Sequence, residues 1–136
     1  MITYNCRKIF NGGKVLTYDV EFYQKENGEV PVEEFLLSLS PKMRAKAFRE
    51  IELLKSYGPE LREPHTKSIK GKNNKGIYEL RVKFSSNISR IFYFTYSGDT
   101  FVLLNGFVKK TRKTPKSELE RARKYKEDYE RRCKDE

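Results

Sequence analysis

Three stretches late in the chain alternate apolar and polar side chains, the pattern of half-buried strands. In Ile77 to Phe84, Tyr78, Leu80, Val82 and Phe84 point one way, while Ile77, Glu79, Arg81 and Lys83 point the other. Ser85-Ser86-Asn87 then reads as a turn, Ile88 to Tyr96 as a second strand, Ser97-Gly98-Asp99 as another turn and Thr100 to Val108 as a third strand. Earlier, Leu16 to Phe22 has apolar residues at every second position and predicts one more strand. Ahead of it, Asn11-Gly12-Gly13 is a turn signal, so Ile2 to Phe10 reads as an extra edge strand or a loose extension.

Between the early and late strands the period changes to that of helices. Pro31 opens a helix through Leu39, with Glu33 and Glu34 in the first turn, where the helix dipole favours carboxylates. Ser40-Pro41 is an N-cap followed by proline at the first helical position, and Gly58-Pro59 stops the helix it starts. Met43, Ala47, Ile51 and Leu54 form one stripe of this helix, with Lys42, Lys46, Arg49, Glu50 and Lys55 off it. A last helix is predicted from Ser117, whose spacing to Glu120 is that of a capping box; it carries Leu119, Ala122, Tyr125 and Tyr129 among many charges. The order strand, two helices, three strands, helix implies an α+β fold, an antiparallel meander sheet covered by a helical hairpin, with a C-terminal helix. At 136 residues this is one domain, expected over 16–136, preceded by an N-terminal extension or edge strand over 1–15.

Composition narrows the classes. An aromatic share of 13% argues against disorder. The longest apolar runs are far too short for a bilayer, and Met1 to Phe10 holds Asn5, Arg7 and Lys8 with no secretory core, so the expectation is a cytoplasmic protein with no membrane partner. Cys6 and Cys133 at opposite ends make neither a disulfide framework nor a zinc motif. Charge says more. The net +10 is not spread evenly: residues 1–66 hold 10 basic and 10 acidic side chains, 67–93 hold 7 basic against Glu79 alone, and 109–136 hold 12 against 7. A basic excess gathered in two segments, one of them predicted strand, points to a polyanionic partner.

The alternation turns that excess into a candidate site. An antiparallel index sum of 171 or 173 would set Arg90 opposite Arg81 or Lys83 on one face. Lys109 and Lys110 follow the last strand, with Arg112 and Lys113 just beyond, and Lys67 and Lys70 precede the first. Like charges opposed across a sheet cost stability, which suggests that an anion belongs there. Phe92 and Phe94 share parity with Arg90, so that face is partly apolar or a bulge intervenes. The one histidine, His65, lies in the loop before Lys67; it, Glu79 and Tyr93 are the candidates for acid or base chemistry. No phosphate-binding glycine loop and no cluster of metal ligands is legible, so neither metal nor cofactor is expected. Crowded cations can stabilise the transition state in which an RNA 2′-hydroxyl attacks the neighbouring phosphorus.

Several segments together carry a family resemblance: Lys70-Gly71, Ile77-Tyr78-Glu79-Leu80-Arg81, Ser89-Arg90-Ile91-Phe92-Tyr93, and Leu104-Asn105-Gly106-Phe107-Val108-Lys109-Lys110-Thr111 with Lys113-Thr114-Pro115. From about Tyr18 to Tyr129 the chain resembles the RelE/HigB-type toxins of type II toxin–antitoxin systems, most closely the phage-derived HigB branch. The resemblance implies an mRNA endonuclease that needs no metal and acts on ribosome-bound messages. It implies a HigA-like helix-turn-helix antitoxin as partner, with operator DNA reached only through that antitoxin. It assigns the catalytic role to Arg81, Lys83, Arg90 and Lys110, and the charge pattern sets Lys67, Lys70, Lys109, Arg112 and Lys113 along the RNA. Two alternatives stay open: a ParE-like gyrase-poisoning toxin and a non-catalytic nucleic-acid-binding protein.

Overall fold

A five-stranded mixed sheet forms the centre of the molecule. The computed structural model describes residues 18–134 together with the backbone of 10–11 and 14–15. Two short strands, β1 (Phe10–Asn11) and β2 (Lys14–Val15), pair with each other on either side of Gly12-Gly13. The remainder of the expected extension, 1–9, lies outside the described residues, as do Leu16 and Thr17 of the strand expected from Leu16. That strand, β3, is described as Asp19–Phe22. Helices α1 (Pro31–Ser38) and α2 (Pro41–Tyr57) follow, then β4 (Thr66–Ser68), β5 (Ile77–Phe84), β6 (Asn87–Tyr96), β7 (Thr100–Val108) and α3 (Lys116–Lys134). The sheet order is β3-β7-β6-β5-β4. The meander β5-β6-β7 and the edge pair β4-β5 are antiparallel, whereas β3 runs parallel to β7.

The helical hairpin closes where its sequence predicts. Ser40 Oγ accepts from the Met43 N–H at 3.3 Å, capping α2 ahead of Pro41. Arg44 in the first turns of α2 donates to the carbonyls of Leu36, Leu37 and Leu39 at 2.9, 3.1 and 3.0 Å. Leu37 and Leu39 are carbonyls that the end of α1 leaves without helical partners, and the Leu36 carbonyl also accepts from the Leu39 N–H at 3.2 Å, so one guanidinium ties the end of α1 to the start of α2. Gly58 ends α2 with φ +57°, and a Cβ there would stand 2.5 Å from the Tyr18 ring.

Side chains from both faces of the sheet are buried. Toward the hairpin, Leu80, Val82, Ile91, Tyr93, Phe101 and Leu103 pack on Val32, Leu36, Met43, Ala47, Ile51 and Leu54. Toward α3, Ile77, Phe92, Phe94, Val102, Leu104 and Phe107 pack on Ala122, Tyr129 and Cys133. The parity of Phe92 and Phe94 with Arg90 therefore has its explanation: the face is apolar where α3 lies on it. A bulge does occur, between Phe92 and Tyr93 in the β6-β7 ladder. It lies beyond Arg90, so the pairing that sets the cations is undisturbed.

Three expectations change. Helix α3 begins at Lys116, so Ser117 stands inside the first turn rather than at the cap. Three residues around Lys67 join the sheet as β4, too few for an alternation to be visible. Glu50, assigned off the apolar stripe of α2, is 3% exposed; it closes the edge of the core with polar partners described below. Among the described residues, no helix is long and apolar enough to cross a membrane.

Candidate functional site

Strands β5 and β6 pair with Arg81 directly opposite Arg90, an index sum of 171. The same register sets Glu79 opposite Phe92 and Lys83 opposite Ile88, so three cations and one carboxylate share a single face. Two guanidiniums opposed in this way repel each other, and Glu79 stands between them. Its Oε2 is 3.3 Å from Arg90 Nε, and its Oε1 is 3.6 Å from Arg81 Nη2. These are ion-pair distances without hydrogen-bond alignment, since Glu79 Oε2, Arg90 Nε and Arg81 Nε all lack an aligned partner. Arg90 spends one donor on the Ser89 carbonyl at 3.0 Å. Burial pushes the Arg90 guanidinium below its ordinary pKa; the Glu79 carboxylate opposes that shift and Arg81 adds to it. One carboxylate thus answers two arginines. The site keeps surplus positive charge and unused donors, an arrangement suited to a phosphate.

Two adjoining cavities open over this cluster. One, of about 400 Å³, is lined by Lys46, Glu50, His65, Arg81, Lys83 and Arg90, with Pro64 and Ile88. The other, of about 600 Å³, is lined by Ser86, Ile88, Arg90, Lys109, Lys110, Thr111 and Arg112. Ile88 and Arg90 belong to both, so the pair reads as one basic groove with Arg90 at its middle. The loop after β7 is held beside that point by the Lys109 N–H, which donates to the Ile88 carbonyl at 2.8 Å.

Each sequence-predicted residue can now be placed. Arg81, Lys83, Arg90, Lys109, Lys110 and Arg112 are brought together along the groove. Lys67 stands beside Glu79 on β4, exposed, and Lys70 and Lys113 are exposed as well; none of the three lines either cavity. Glu79 is 4% exposed and engaged by both arginines, so it is their counter-ion and cannot reach a substrate. Tyr93 is not with the cations: alternation sends it to the hairpin face, where it is 4% exposed and stacks on Tyr78 at 5.6 Å. Burial raises its phenol pKa, a change that the Thr66 hydroxyl partly offsets. His65 is at the groove, with Nδ1 2.8 Å from Glu50 Oε2. Glu50 also meets Lys46 Nζ at 3.3 Å.

Glu50 and Lys46 were not among the residues singled out from sequence. The signal for Glu50 was available, because Met43, Ala47, Glu50 and Leu54 follow helical spacing and place it next to the buried stripe. Nothing in a single sequence pairs it with a loop residue 15 positions away. Among the described residues, no three His, Cys, Asp or Glu side chains gather as a metal-binding group.

Comparison with known proteins agrees with this geometry at the level of family. None of the curated proteins matches the chain. The family model described as "Phage derived protein Gp49-like (DUF891)" matches residues 34–127, which run from within α1 through most of α3 and hold every side chain of the groove. The chain belongs to this phage-derived Gp49-like family, which is associated with RelE/HigB-like toxins of toxin–antitoxin systems.

Proposed function

We propose that the chain is the toxin of a type II toxin–antitoxin system, of the HigB branch, acting in the cytoplasm as a metal-independent endoribonuclease on ribosome-bound mRNA. The observation that carries this reading is Arg81 opposed to Arg90 across β5 and β6, with only Glu79 between them and Lys83 beside them. A phosphodiester laid across this pair meets two fork-shaped donors, the geometry that grips phosphate oxygens in pairs.

The 2′-oxygen attacks the adjacent phosphorus, the bond from phosphorus to the 5′-oxygen breaks, and the products are a 2′,3′-cyclic phosphate and a free 5′-hydroxyl. The phosphoryl oxygens gain negative charge on the way. Arg81 and Arg90 are in place before the reaction to stabilise it, with the exposed Lys83 beside them. Lys109, Lys110 and Arg112 hold the backbone on the far side of Arg90 through contacts that set register without reading sequence. A HigA-like helix-turn-helix antitoxin would restrain the enzyme until it is needed.

Purified protein and a message programmed on purified ribosomes test the reading. Cleavage is expected from the wild type, and Arg81→Ala should lose roughly 10²- to 10³-fold in rate, the cost of one preorganised charged contact. A chelator should leave the rate unchanged while the ribosome's own magnesium is maintained. Arg81→Ala cleaving at the wild-type rate, or cells with damaged DNA and intact messages, would refute the proposal.

A further inference from the structure

We infer that His65, positioned by Glu50, is the group that removes the 2′-hydroxyl proton in this groove, an assignment that rests on the RNA-cleaving reading above. An RNA-cutting site needs a proton acceptor within reach of the 2′-oxygen. Arginine cannot serve, since it does not give up its proton in proteins, and a lysine ammonium, as at Lys46 or Lys83 in the same cavity, donates and has no lone pair to accept with. Glu79 is enclosed between Arg81 and Arg90, and Tyr93 is on the opposite face of the sheet. His65 lines the same cavity as Arg81, Lys83 and Arg90.

Three contacts hold it. Its carbonyl accepts from the Arg81 N–H at 2.7 Å, which ties the residue to the strand carrying the site. Its own N–H donates to the Arg62 carbonyl at 2.9 Å, which tightens the loop. Its ring meets Glu50 through Nδ1 at 2.8 Å. A carboxylate only accepts hydrogen bonds, so the proton at that contact sits on Nδ1 and the lone pair is left on Nε2. The ring is 37% exposed on the wall of the cavity shared with Arg81, Lys83 and Arg90. Glu50 is nearly sealed from solvent, and a buried carboxylate persists only where partners compensate it. Lys46 takes one of its oxygens and His65 the other.

The charged groups facing the ring are Lys46 and Glu50 from α2, Arg81 and Lys83 from β5, and Arg90 from β6. Glu50 meets the ring at the nitrogen that does not react. In the proposed step the 2′-oxygen's proton passes to Nε2 as the bond from that oxygen to phosphorus forms. The electron pair of the breaking bond goes to the 5′-oxygen, which takes a proton from water. His65 then returns its proton to solvent. Glu50 touches no substrate; it is a positioning residue that fixes the tautomer and balances the imidazolium.

His65→Asn separates chemistry from structure, because its amide can still donate to Glu50 while offering nothing in the place of Nε2. The variant is expected to melt like the wild type and to bind a message carrying a 2′-deoxy substitution at the cleavage site within about twofold of it. Its cleavage should fall by at least roughly 100-fold, the range of general-base catalysis. Added imidazole should restore part of the activity of His65→Ala. Glu50→Gln should lower kcat about tenfold with KM unchanged, since substrate contacts stay and only the orientation of the base is lost. His65→Asn cleaving within threefold of the wild type overturns this assignment and leaves the endonuclease reading standing. A wild-type protein that cuts no message removes both.

Discussion

The two faces of the sheet make different use of the same strands. On the hairpin side, α1 and α2 cover an apolar layer that runs from Val32 to Leu103, built on the strands from Leu80, Val82, Ile91, Tyr93, Phe101 and Leu103. On the other side, Phe92, Phe94 and Phe107 lie in the cluster with α3, and next to them on the same parity come Glu79, Arg81, Lys83 and Arg90. The hairpin face is core between the exposed ends of β5 at Tyr78 and Phe84. The other changes from core to charged groove within a few residues of β6, where α3 gives way to the loop over 109–115. The difference shows how a rigid site is built on a small domain. The backbone under Arg81 and Arg90 is stiffened by apolar packing behind it, so repelling side chains stay in position while their charges face outward.

The largest effect that tests this contrast is a core truncation on the hairpin side. Leu103, fully buried, should cost about 3–4 kcal/mol on change to alanine, from lost transfer energy and the cavity left behind, read as a lower urea midpoint. Next comes Arg90→Ala, expected to cost about 3 kcal/mol, because it strips Glu79 of its nearer partner and leaves a buried carboxylate. Adding Glu79→Gln should recover most of that stability and none of the cleavage. Recovery of both would mean that Arg90 serves only the fold.

A smaller effect compares the faces through one phenol each. Burial raises the pKa of Tyr93 on the hairpin side, and burial together with the Glu21 contact raises that of Tyr129 on α3. A folded-state pKa raised above the unfolded value near 10 adds stability that is whole below pH 10 and is lost as pH rises further. The urea midpoint should therefore fall above about pH 10, less steeply in Tyr93→Phe, and ultraviolet titration should show both phenols ionising only on unfolding. The smallest effect belongs to Arg81→Ala. Its side chain is 27% exposed and Glu79 keeps Arg90, so the stability change should stay under about 1 kcal/mol. If this change destabilises as much as Leu103→Ala, the two faces do not differ as described.

Much of this arrangement was legible in the residues. The boundaries of β5 and β7 follow from alternation and turn residues, and those of α2 from Ser40-Pro41 and Gly58-Pro59. The turn expected over Ser85-Ser86-Asn87 is one residue shorter: β6 begins at Asn87, and this two-residue turn fixes at 171 the index sum that the residues left at 171 or 173. What was not legible depends on packing partners distant in sequence. Nothing local to Asp19–Phe22 says that it runs parallel to β7. Nothing in α3, with its dense charges, says that it covers Phe92 and Phe94. The burial of Glu50 required knowing where His65 would fall.

The parallel pairing of β3 with β7 also has a consequence in time. Asp19 meets Thr100, about 80 residues later. The β5-β6 hairpin closes locally and can form early; β3 has no ladder until the final strand exists. Strand β7 in turn carries Leu103 for one core and Leu104 for the other. Folding should therefore begin in the meander and end with β3 docking, and a chain interrupted before residue 100 would carry Arg81 and Arg90 on a scaffold that has yet to become rigid.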